Sequence, residues 1–151
     1  MKVYLATDHG GFGLKEKVKE FLLKAGYEVE DYGAAVLDPN DDYPDFISKA
    51  AEAVSKDPTS KAIILGGSGQ GEAIVANKFP NVRAAVYYGG VDQIPALTRQ
   101  HNDSNILSLG ARFLTEDEAT KAVKLFLETP FTDEPRHQRR IDKIKKIEES
   151  R

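Results

Sequence analysis

The chain has 151 residues, 40% of them hydrophobic and 30% charged, with a formal net charge of −3 and no cysteine. That length suits one domain with its own core, and the lack of cysteine excludes disulfides, thiolate metal sites and any cysteine nucleophile or base. Residues 136–151 carry seven Lys/Arg against three Asp/Glu, leaving −7 for the rest, so the basic charge is one short segment and not the broad stripe of a nucleic-acid binder.

No apolar run reaches the roughly 18 residues of a membrane span, and MKVYLATDHGG is too short an apolar stretch for a secretion signal. A cytoplasmic location is expected.

Short β-branched runs alternate with segments of helical period, the pattern of βαβ units and a parallel sheet in a single α/β domain over residues 1–151. VYLAT (3–7) reads as the first strand. Leu14, Val18, Phe21, Leu22 and Ala25 then mark one helical face, closed by Gly26. YEVEDY (27–32) is a shorter, more polar strand expected near an edge, and LDPNDDYPD (37–45) is a loop rich in turn formers.

A helix over 44–56 should bury Phe46, Ala50, Ala53 and Val54, with Asp57-Pro58 as its stop. KAIIL (61–65) is the most apolar strand and should be central, covered on both faces. GGSGQGE (66–72) follows, then a helix of small residues, AIVANKF, and a fourth strand, VRAAVYY (82–88).

A helix over 92–101 and the strand NILSLG (105–110) complete the sheet. Thr115 and Glu118 form a capping box for a helix through Leu127. The basic C-terminal segment, 135–151, spaces Ile141, Ile144 and Ile147 as a narrow apolar stripe for the body or for a partner subunit.

In an open parallel sheet, ligands collect beyond the carboxyl ends of the strands. That rule selects Asp8 and His9 after the first strand, GGSGQGE after the third, and Arg112 after the fifth. The glycine turn offers free N–H groups to an anion, but it is not GxxxxGK[ST], because Glu72 stands where a nucleotide loop has lysine, nor GxGxxG, because its glycines are spaced Gly67, Gly69, Gly71.

A carboxylate beside N–H donors suits a substrate that loses a carbon-bound proton to become an enediolate. Glu72 reads equally as a first-turn residue suited to the helix dipole. Asp8-His9 can be a polar turn or an anion grip, and His101-Asn102 either ends a helix or serves a site.

Arg136 and Arg140 share a helical face and can clamp one phosphate or simply be solvated. The three histidines lack HxH or HxxxH spacing, so no metal is expected.

Together TDHGG, DDYPDF, GGSGQGE with AIVANK, VRAA, RQHNDSNILSLGAR and PRHQRR resemble, in order and over nearly the whole chain, ribose-5-phosphate isomerase type B, a family that includes galactose-6-phosphate isomerase subunits. The resemblance implies a Rossmann-like three-layer sandwich with five parallel strands. It also implies a homodimer or dimer of dimers with a site shared between subunits, a phosphorylated-sugar substrate, and neither metal nor organic cofactor.

It implies aldose-ketose isomerisation of D-ribose 5-phosphate, or of a hexose 6-phosphate, through a cis-enediolate. A non-catalytic sugar-phosphate binder is the alternative from another class.

By the same resemblance Asp8 and His101 open the ring and Glu72 moves the C2 proton. Gly67, Ser68, Gly69 and Gly71 form the anion hole, Asn102 orients hydroxyls, and His9, Arg112, Arg136 and Arg140 grip phosphate. One branch of the family places a cysteine base where this chain has Gly66 and an apolar residue where it has Glu72; the present sequence resembles the glutamate branch. YYGGVDQIP (87–95) is longer than the usual connection and sets Pro95 inside the fourth helix pattern.

Overall fold

The computed structural model describes residues Met1–Arg151. Its strands are β1 (Lys2–Thr7), β2 (Glu28–Asp31), β3 (Lys61–Gly66), β4 (Ala84–Tyr87) and β5 (Ile106–Gly110). The helices are α1 (Phe12–Lys24), α2 (Tyr43–Lys56), α3 (Gln70–Ala76), α4 (Ile94–Asn102), α5 (Glu116–Glu128) and α6 (Pro135–Glu149).

Every strand pair is parallel, in the order β2-β1-β3-β5-β4. The apolar KAIIL strand is therefore central and the polar second strand is at an edge, as their compositions require.

Alternation along β3 feeds two cores. Ile63 and Leu65 meet α1 and α5 through Val18, Leu22, Val123 and Phe126, while Ala62 and Ile64 meet α2 and α3 through Ile47, Ala50, Val54 and Ala76. Each fully buried aliphatic or Phe side chain contributes about 1.5–3 kcal/mol. No helix is long and apolar enough to cross a membrane.

Several expectations shift. The covered face of α2 is Ile47, Ala50, Ala51 and Val54, with Phe46 and Ala53 only partly buried; the helix is rotated from the face its sequence suggested. On α1, Val18 and Leu22 are buried and Ala25 is exposed beyond the helix end. β4 starts at Ala84 because the Asn105 side chain takes the Arg83 N–H at 2.8 Å and Asn77 brackets Ala84 on both backbone groups.

Pro95 lies in the first turn of α4, where its missing N–H costs nothing, so it starts the helix and does not break it. Of the α6 stripe Ile141 is buried, while Ile144 and Ile147 remain 49% and 67% exposed.

Lys15 is buried on the polar border of α1. Its ammonium donates to both Asp31 oxygens, at 2.8 and 2.7 Å, and to the Ala34 carbonyl at 3.0 Å. Burial alone would raise the Asp31 carboxyl, but Lys15, the Gly33 N–H and Lys19 outweigh it and hold the group below its usual range. This pair ties the segment after β2 to α1 and so supports the loop that leads to the site.

The crossover after β1 runs to one side of the sheet and that after β3 to the other, so the strand order reverses between them. A crevice opens at such a reversal, beyond the carboxyl ends of the two strands.

Candidate active site

Three connections meet in that crevice. β1 is tied to β3 by the Thr7 hydroxyl, which donates to the Leu65 carbonyl at 2.8 Å. Asp8, only 7% exposed, accepts from the Gly10 N–H at 2.9 Å and closes the 3-10 turn His9–Gly11.

His9 is held by a residue from the acidic loop: its backbone N–H donates to Asp41 Oδ1 at 3.0 Å, and its Nδ1 lies 2.7 Å from the same oxygen. An ionised carboxylate only accepts, so Nδ1 carries the proton. The bond to Asp41, opposed by desolvation and helped by the Asp8 charge, raises the His9 pKa and favours its cationic form.

After β3 the chain makes its glycine turn. Gly69 takes φ +79°, with its carbonyl fixed by the Ser108 hydroxyl at 2.6 Å. The Ser68 hydroxyl accepts from the Gln70 N–H at 3.3 Å. The N–H groups of Gly67, Ser68 and Gly69 donate to no acceptor in the chain, which leaves three successive unpaired donors on the turn.

Glu72, in the first turn of α3, is 5% exposed and its Oε2 is buried without a partner. Burial, eased by its own backbone N–H and reinforced by the Asp8 charge, pushes the carboxyl above the ordinary range. Gly66 leaves the space the carboxylate fills: a Cβ there would overlap it.

Arg112 arrives from the end of β5. Its backbone N–H donates to the Gly67 carbonyl at 3.1 Å, and its guanidinium carbon would lie 3.0 Å from a Cβ at Gly67. Tyr43, at the start of α2, puts its hydroxyl where a Gly71 side chain would be, 2.6 Å from that Cβ position.

The crevice thus gathers Asp8, His9, Gly67, Ser68, Gly69, Gly71, Glu72 and Arg112. It also includes Asp41 and Tyr43, to which the sequence reading assigned no role. The acidic loop and DDYPDF were visible, but not which of their side chains would turn inward.

The other candidates lie at the opposite end of the sheet. α4 runs back along the sheet, and its last residue, Asn102, accepts through its carbonyl from Arg83 Nε at 2.9 Å, immediately before β4 begins. His101 precedes it, with its ring centroid 4.5 Å from that of His137 on α6. Arg136 and Arg140 sit on the same helix, Arg136 held by Glu134 at 3.0 Å. The five residues of β5 separate this group from Arg112, roughly 15 Å at the rise of a strand.

A family profile described as Ribose/Galactose Isomerase matches residues 3–144. The ribose-5-phosphate isomerase B of Mycobacterium tuberculosis is 44% identical over 148 residues, covering 98% of this chain and 90% of its own. This chain belongs to the ribose/galactose isomerase family.

Solved structures agree. Ribose-5-phosphate isomerase B from Mycoplasma genitalium, with bound ribulose-5-phosphate, superposes with a TM-score of 0.94 at 39% identity, covering 99% of this chain and 97% of that one. The Clostridium thermocellum enzyme superposes at 0.93 with 41% identity, covering 99% of each chain.

In this isomerase the overlap at Gly66 ties the residue at that position to the pose of Glu72. A side chain at position 66 and a carboxylate from position 72 compete for one volume, so a chain with Glu72 in this pose needs glycine at 66.

One arrangement lay outside the histidine spacing in the sequence. Potential ligand atoms of Asp8, His9 and Asp41 fall within 4.8 Å of one another because Asp41 comes from a different loop. His9 Nδ1 is committed to Asp41, so part of this cluster is already held together by a hydrogen bond between its own members.

Proposed function

We propose that this isomerase interconverts D-ribose 5-phosphate and D-ribulose 5-phosphate through a cis-enediolate, with Glu72 as the base. The observation that carries the reading is the pairing of a buried, unpartnered carboxylate with three unpaired N–H donors on one turn. Its relatives' activity and the ribulose-5-phosphate held by the Mycoplasma genitalium structure support the substrate. A phosphorylated sugar that cannot cross a membrane unaided suits a cytoplasmic enzyme.

The chemistry opens on the cyclic sugar. Asp8 and His101 move the protons of ring opening: the anomeric hydroxyl loses one, the ring oxygen gains one, and the C1 carbonyl forms as the ring bond breaks. Glu72 then takes the C2 proton, and negative charge builds on the enediolate oxygens facing the N–H groups of Gly67, Ser68, Gly69 and Gly71.

Transfer of the O2 proton to O1 and return of the C2 proton to C1 give the ketose. Preorganised donors supply most of the rate, because a carboxylate is a weak base toward a sugar carbon acid. Asn102 orients hydroxyls, and no step needs a metal or an organic cofactor. Deuterium from solvent should enter the substrate during turnover; saturable binding of ribose 5-phosphate without exchange would mark a non-catalytic binder instead.

One chain cannot assemble this site, since His101, Asn102, Arg136 and Arg140 lie a sheet length from Glu72. A homodimer that brings one subunit's α4-α6 end to its partner's crevice solves this, and dimers can pair further. The exposed Ile144 and Ile147 supply apolar surface for such contact.

Mixing an inactive Glu72→Gln subunit with an inactive His101→Asn subunit should restore activity, because the hybrid holds one site with neither change. Failure to complement after verified subunit exchange would refute the sharing.

Phosphate is held by His9, Arg112, Arg136 and Arg140. Replacing both Arg136 and Arg140 with alanine should raise KM by about 10²- to 10⁴-fold, at about 1.5–3 kcal/mol for each charged hydrogen bond, with a smaller change in kcat. Steady-state kinetics decide it, and an unchanged KM ends the clamp.

A further inference from the structure

The α4-α6 end holds a second imidazole that none of these steps uses. His137 is 4% exposed, and its ring lies against that of His101 with centroids 4.5 Å apart and planes at 39°. Its Nδ1 is 3.0 Å from the Thr132 hydroxyl, and that hydroxyl is also 2.9 Å from the Gln100 carbonyl.

A carbonyl can only accept, so the one hydroxyl hydrogen goes to Gln100 and Thr132 accepts from His137. Nδ1 of His137 therefore carries a proton. The backbone joins the same knot, because the Thr132 N–H donates to the Gln100 carbonyl and the His137 N–H to Glu134. Gln100 adjoins His101 on α4, so Thr132 bonds at once to the residue before one histidine and to the ring of the other.

Charged neighbours surround the pair. Desolvation first, then His101, lower the His137 pKa; Glu134 opposes them and Arg136 and Arg140 add to the fall, so the neutral ring is favoured. A neutral ring held by Thr132 packs against His101 without bringing a charge of its own.

We propose that His137, fixed by Thr132, is a positioning residue for His101: it sets the angle at which that ring reaches the anomeric oxygen or ring oxygen of the partner's substrate. This rests on the isomerase reading above. The Gln100-Thr132-His137 knot makes the ring-opening histidine and the α6 arginines one rigid unit, delivered together to the partner's crevice.

The test separates ring opening from proton transfer at carbon. Ribulose 5-phosphate has no free C5 hydroxyl with which to close a furanose ring, so Glu72 can exchange its C1 hydrogen with solvent deuterium without ring chemistry. Ribose 5-phosphate must first open.

His137→Phe should lower turnover of ribose 5-phosphate about 100-fold, the cost of roughly 1 Å of misplacement, while C1 exchange in ribulose 5-phosphate stays within about threefold. Thr132→Val should give the same pattern, about 10-fold, and Thr132→Ser should restore it. The Thr132 pair carries the test if His137→Phe fails to fold.

Equal losses in both reactions would mean damage to the fold or the phosphate grip and would overturn the proposal, as would no loss in either. A wild-type protein inert in both reactions would sink the isomerase reading and this inference with it.

Discussion

Glu72→Gln is expected to lower kcat on ribose 5-phosphate by 10²- to 10⁴-fold, about the contribution of a positioned general base, while the protein stays folded. Gln has the same shape and fills the same space above Gly66, but it cannot take a proton from C2. KM should move little, because binding energy comes from phosphate and hydroxyl contacts elsewhere. Wild-type turnover in the variant would end the assignment of Glu72 as base.

The pH dependence gives a second readout. Burial raises the Glu72 pKa in the folded protein, so the acid limb of kcat/KM should lie above the ordinary glutamate value. For stability the sign is opposite to that of a paired carboxylate. The folded state holds the proton more tightly than the unfolded chain, so its relative stability falls as pH rises from the unfolded value through the raised folded one.

Glu72→Gln lacks that dependence. Its melting temperature relative to wild type should climb across that window and level off above it.

Gly66→Ala is the second large effect. Gly66 has no positive φ, so backbone freedom is not why glycine is needed; the Glu72 carboxylate occupies the place of the missing methyl. Alanine must push the carboxylate off its position or shift the end of β3. A displacement of about 1 Å at the reacting group costs about 10²-fold in kcat, and overpacking of this kind costs about 1–3 kcal/mol of stability.

The steric cause is checked by a double-mutant cycle. In a Glu72→Ala background the stability cost of Gly66→Ala should largely vanish, because the clashing group is gone. An equal cost in both backgrounds, measured by chemical denaturation, would show that Gly66 is needed for another reason.

Some of this molecule follows from local sequence. After Lys61 the strand AIIL has no polar residue to turn outward, so it had to lie between two helical layers, and Glu118 stands three residues after Thr115, the spacing at which each side chain reaches the other's backbone. The glycine turn announced free N–H groups, because four glycines in seven residues leave little else there.

Helix phase was less secure. On α2 Ile47 and Ala51 are buried in place of Phe46 and Ala53, since YPDFISKAAEAV carries apolar side chains on adjoining stripes and only the sheet beneath decides between them.

The composition and order of GGSGQGE, together with a chain free of cysteine, determined that any base at the end of the third strand would be a carboxylate. Distances within one turn are set by the backbone, so that much is readable from residues alone. Tertiary structure decided what surrounds it. Asp41 reaches His9 across 32 residues and Tyr43 fills the notch at Gly71.

Tertiary structure also carried His101 to the far end of the sheet from Glu72. Such pairings depend on how crossovers stack the layers, a sum of many weak contacts that no local pattern encodes.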